Sequence, residues 1–130
     1  MEIGPLQDHV HELRDTLSVL ESYSQLATFT PDKDTTTVPQ AGAFMFMVYQ
    51  QQLLILDSMD VNNGPLHESI QEMRDVMAVL ESYAQLATFT PELDVTTVRQ
   101  AGAFMFMVYE RQMTIINLME ATLADLEKKR

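Results

Sequence analysis

The chain reads as an all-α protein, a four-helix bundle made of two tandem antiparallel helical hairpins with internal pseudo-two-fold symmetry. Three observations predict this. First, Gln40-Ala41-Gly42-Ala43-Phe44-Met45-Phe46-Met47-Val48-Tyr49 returns letter for letter as Gln100-Ala101-Gly102-Ala103-Phe104-Met105-Phe106-Met107-Val108-Tyr109, so a 60-residue unit is duplicated. Second, apolar residues recur at alternating spacings of four and three, the stripe of an amphipathic helix that packs against neighbours. Third, each unit carries two such stripes separated by a polar, proline-punctuated stretch, the pattern of an antiparallel helical hairpin.

The first helix opens at Gly4-Pro5, where a proline in the first turn gives up an N–H that has no intrahelical partner. Leu6, Val10, Leu13, Leu17, Leu20, Ser24 and Ala27 form its seam, and Val19, Tyr23 and Leu26 are expected to widen it near the end. Glu12, Asp15, Glu21, Ser22 and Gln25 make the solvated face. Pro31 stops the helix, because the residue before a proline is pushed out of the α region. After the polar run Asp32 to Thr37, Thr36 or Thr37 can cap a second helix whose seam is Val38, Ala41, Met45, Val48, Gln52, Ile55 and Met59, flanked by Gly42, Tyr49 and Leu56.

Asp60-Val61-Asn62-Asn63-Gly64-Pro65 is too short for a domain linker and favours docking of one hairpin directly on the other. The second copy repeats the seams as Leu66, Ile70, Met73, Met77, Leu80, Ala84 and Ala87, then Val98, Ala101, Met105, Val108, Gln112, Ile115 and Met119. Exchanges such as Val10 for Ile70 and Leu13 for Met73 roughly preserve volume, as cores tolerate. Leu123 and Leu126 extend the last helix, and Lys128-Lys129-Arg130 puts positive charge at its negative end. The expected organisation is one domain over residues 1–130, with repeats 1–60 and 61–120 and a C-terminal helical extension 121–130. Two separate domains of 60 residues would each be marginal, so a shared core follows. In plan this resembles Rop, in which two separate hairpins dimerise.

Composition narrows the function. Nineteen Asp and Glu against eight Lys and Arg give a net charge of −11, which repels phosphate backbones and anionic membranes and argues against direct nucleic-acid or membrane binding. Without cysteine there are no disulfides or thiolate metal sites. Met1-Glu2-Ile3 lacks the features of a secretion signal, and the apolar run Ala41 to Tyr49 is about half of what a membrane helix needs, so a cytoplasmic location is expected. No Glu-x-x-His of a di-metal bundle occurs. His9 and His11 have no counterparts in the second copy and point in different directions, and no nucleophile elbow or phosphate loop is present. The reading is of a protein with no enzymatic activity, catalytic residues, metal or cofactor.

Two features carry information about sites. Gln52 and Gln112 fall near the centre of their apolar arcs, and the symmetry would bring them together as a core polar pair that sets register, as buried Asn does in coiled coils. The rival role is a polar anchor for a ligand in the bundle interior. In the repeated decapeptide, Met45, Val48 and Tyr49 face the core, whereas Phe44 and Met47 point largely away and Phe46 lies at the edge of the arc. Phe44, Phe46, Met47, Phe104, Phe106 and Met107 are therefore the expected partner-binding residues, forming a paired patch on the second and fourth helices. Loop cover by Phe29 and Phe89, a second copy of the chain and a foreign protein are the alternatives for what shields them. The abundance of methionine, ten in 130 residues, suits an adaptable interface. The function expected is an adaptor, inhibitor or regulator of another protein, with a small-molecule sensor or an acidic nucleic-acid mimic as the alternatives.

Overall fold

A computed structural model describes residues 3–29, 38–59, 64–89 and 98–129. Within them the chain is all-helical: α1 Gly4–Phe29, α2 Val38–Met59, α3 His67–Phe89 and α4 Val98–Lys128, with no strand. A single 3-10 turn, Gly64–Leu66, leads into α3, so the Pro65 end of the second unit is wound more tightly than the corresponding α-helical start at Pro5.

The tightest packing is α1 along α4 and α2 along α3, with looser seams between α1 and α2 and between α3 and α4. Every neighbouring pair runs antiparallel. In α1 and α4, Gln7 pairs with Glu127 and Arg14 with Glu120 and Asn117. In α2 and α3, Asp57 pairs with Arg74. Tyr23 meets Phe44 between α1 and α2, and Tyr83 meets Phe104 between α3 and α4. The relation of α2 to α4 is a sparse, parallel diagonal through the centre. An arrangement in which each helix touches two neighbours fits a four-helix bundle around one core.

The core follows the stripes. Leu6, Val10, Leu13, Leu17 and Leu20 of α1, Met73, Met77 and Leu80 of α3, and Met45, Met59, Met105 and Met119 of α2 and α4 are almost completely enclosed. Leu123 continues the core beyond the duplicated unit. Two details depart from the sequence expectation. Val19, placed in the widened seam, is 53 % exposed, and its counterpart Val79 is 54 % exposed. At the far end of α2 the core position passes from Ile55, which is half-buried, to Leu56, which is enclosed. A straight helix with 3.6 residues per turn drifts away from a strict heptad stripe, and this drift moves the buried position round by one residue. The Thr36 or Thr37 cap, the turn over residues 60–63, and the side chains of Leu26, Ala27, Phe29, Val38, Ala87, Phe89 and Val98 lie outside what is described.

Candidate functional site

At the centre of the molecule, Gln52 on α2 and Gln112 on α4 are fully enclosed and face one another. Gln52 Nε2 donates to Gln112 Oε1 at 2.8 Å, and Gln112 Nε2 donates to Gln52 Oε1 at 3.0 Å, a reciprocal amide pair. Gln52 uses its second amide hydrogen on Thr16 Oγ1 at 3.0 Å, and Thr16 in turn donates to the Leu13 carbonyl at 2.6 Å. The residue equivalent to Thr16 is Val76, which offers no acceptor, and among the described residues the second amide hydrogen of Gln112 meets none. The network therefore treats the two repeat-equivalent glutamines differently. Thr16 had no mark in the heptad pattern; its position one turn from both Leu13 and Leu20 is the signal that places it inside.

A second layer of polar contacts ties the tight pairs together. Arg14 reaches from α1 to α4, donating to Asn117 Oδ1 at 2.8 Å and pairing with both carboxylate oxygens of Glu120. Its counterpart Arg74 donates to Asp57 on α2 at 3.0 Å. Tyr49 on α2 stands near the Glu81 carboxylate of α3, and Tyr109 on α4 stands near Glu21 of α1. Burial first, then the neighbouring glutamate, raises the pKa of both phenols above the ordinary 10.0. Loss of the proton would put a second negative charge against each carboxylate.

The six outer residues of the decapeptides do not share one environment. Phe44 is half-buried and stacks on Tyr23, ring centroids 4.1 Å apart and 13° from parallel, and Phe104 stacks on Tyr83 with the same values. Neither points away from the protein as expected, because the open seam between each hairpin's helices admits the ring beside the tyrosine. Phe46 leans instead towards the other side of α2, its centroid 5.9 Å from that of Tyr49, and Phe106 lies 5.7 Å from Tyr109. Phe46 is half-buried and Phe106 is 38 % exposed. Met47 and Met107, at 57 % and 62 % exposed, are the members that reach solvent as expected.

These residues also do not form a single paired patch. α2 and α4 lie diagonally across the core, so their outer sides face away from each other. Phe44 lines a groove with Ser18, Val19, Ser22 and Tyr23 on the α1/α2 side. Phe104 and Met107 line a groove with Val76, Val79 and Val108 on the opposite, α3/α4 side. Sequence reasoning did not mark Val19 and Val79, or Leu54 and Leu118, as outward-facing apolar residues; Leu54 and Leu118 are 70 % and 53 % exposed.

His9 is half-buried and its Nδ1 lies 3.1 Å from Glu12, whereas His11 is exposed. Among the described residues no group of three or more His, Asp or Glu is placed to hold a metal ion, and no helix is long and apolar enough to cross a membrane. No family model matches the chain, and no curated protein or solved structure matches it.

Proposed function

We propose that the chain is a non-enzymatic protein-interaction module built from two tandem helical hairpins related by a pseudo-two-fold axis, which binds another protein through Met47 and Met107 and the apolar residues beside them. One observation carries this reading: Val19 and Met47 are exposed, as are their counterparts Val79 and Met107, and these exposed apolar letters are kept across the duplication just as buried ones such as Leu20/Leu80 and Met45/Met105 are. Solvent places no packing demand on an exposed methionine or valine, and exposed apolar surface retained in both copies is accounted for by a contact. Not every exposed apolar residue behaves this way, since Leu54 has become Thr114. The acidic surface favours approach by a cationic partner and disfavours nucleic acid.

Regulation, inhibition or adaptor activity by occlusion of the partner's surface is the corresponding mechanism. The test is capture by the native chain of a protein that Met47→Glu/Met107→Glu does not capture, with light scattering of both chains alone to report self-association. Capture that survives the double substitution removes the methionines from the site. Phe44→Glu is the poorer probe, because that ring is half-buried against Tyr23 and its loss would disturb the fold.

A further inference from the structure

Resting on that reading, we infer that the protein is bivalent: it carries two docking grooves on opposite sides, each fitted to a basic amphipathic helix, and Arg111 makes the second groove the weaker of the two. The loose α1/α2 and α3/α4 seams lie on opposite sides of the core, since the tight pairs α1/α4 and α2/α3 separate them. A single partner helix cannot touch both.

The α3/α4 groove shows what would fit. Its apolar end is made by Val79, Phe104 and Met107, in a depression of about 200 Å³. It continues through Val76 and Arg111 into a larger depression of about 490 Å³ edged by Glu72 and Asp75. Between Phe104 and Ile115 α4 advances about 16 Å at 1.5 Å per residue, the length of roughly three helical turns. A helix with a large apolar residue at one end and Lys or Arg one to two turns away would meet complementary chemistry at both. On the α1/α2 side Val19 and Phe44 line the groove with Ser18, Ser22 and Tyr23, and the exposed Glu12, Asp15 and Met47 stand at the repeat positions of Glu72, Asp75 and Met107.

The two grooves differ in charge along α2 and α4, where Gln50 and Gln51 of the first copy correspond to Glu110 and Arg111 of the second. Arg111 stands where the first copy has Gln51. A guanidinium beside Glu72 and Asp75 offsets their attraction for a basic helix, whereas the first copy has the uncharged Gln51 at that position and its Glu12 is met by His9 Nδ1 at 3.1 Å.

Titration calorimetry of the full chain with a synthetic amphipathic Leu/Lys helical peptide tests this. Two peptides should bind per chain, in a tighter and a weaker event. Met47→Glu should abolish the tighter event and Met107→Glu the weaker, each by about tenfold or more in affinity. Arg111→Gln should tighten the weaker event by about threefold, the size expected of one exposed charge contact. One peptide per chain, removed by either methionine substitution, would overturn bivalency while keeping the interaction reading. Binding indifferent to both substitutions would overturn both. A native dimer that Met107→Glu dissociates would give the second groove to another copy of the chain and overturn the basic-helix assignment.

Discussion

Gln52 and Gln112 exchange two hydrogen bonds of 2.8 and 3.0 Å across the diagonal of the core, at equivalent positions exactly one repeat apart in the chain. Buried amides are stable only while paired, because an unpaired donor or acceptor keeps its full desolvation penalty. Sliding of α2 against α4 that separated the two side chains would leave both buried amides unpaired.

Replacing one member strands the other. Gln112→Leu should cost about 1–3 kcal/mol, read as a lower denaturant midpoint at constant slope. Replacing both with Leu should raise Tm, since no buried amide is then left unpaired and Thr16 keeps its bond to the Leu13 carbonyl, and should also loosen packing specificity, visible as broader amide resonances. A fall in Tm for the double variant would count against the register role.

Thr16 and Val76 give a reciprocal pair of expectations. Thr16→Val removes the acceptor for Gln52 Nε2 and should destabilise by about 1–2 kcal/mol. Val76→Thr offers the missing acceptor to Gln112 and should stabilise by about 1 kcal/mol. Urea unfolding of the two variants and of the combination checks both signs.

Tyr49 and Tyr109 make stability sensitive to alkali. Their folded pKa values are raised above 10.0, so the neutral phenols favour the folded state fully below pH 10.0, and that contribution is lost as pH rises through the raised values. Tyr49→Phe/Tyr109→Phe should flatten the decline in stability above pH 10.0, measured by chemical unfolding across that range. An unchanged slope would detach the tyrosines from the effect.

Arg14 and Arg74 occupy equivalent places and both reach the equivalent positions Asn117 and Asp57, one an amide and the other a carboxylate. Arg14 engages both Asn117 and Glu120, and Arg74 engages Asp57. Arg14→Ala should cost about 1 kcal/mol, through lost aliphatic packing as well as charge, and the part due to charge should shrink at high salt. Thermal melts at low and high salt separate the two components.

Met107→Glu should leave stability within about 0.5 kcal/mol, because the side chain is 62 % exposed, yet it should remove binding at the α3/α4 groove. Parallel melting and binding measurements distinguish a docking residue from a packing one.

The helices, their approximate ends and nearly the whole core were legible in the residues, because a 3.6-residue period and proline punctuation report local backbone geometry directly. The duplication likewise pointed to Gln52 and Gln112 meeting, since equivalent polar residues in two facing stripes have each other as the nearest compatible partner. What tertiary structure decided was everything that depends on which helix stands beside which. Periodicity gives the direction of a side chain from its own axis, but not what stands opposite it: Phe44 looked outward until Tyr23 came within stacking distance across the α1/α2 seam. Val19 looked inward until that same seam proved open, leaving it 53 % exposed. The diagonal placement of α2 and α4 then divided one expected patch into two grooves, a consequence of long-range packing that no local pattern in the chain encodes.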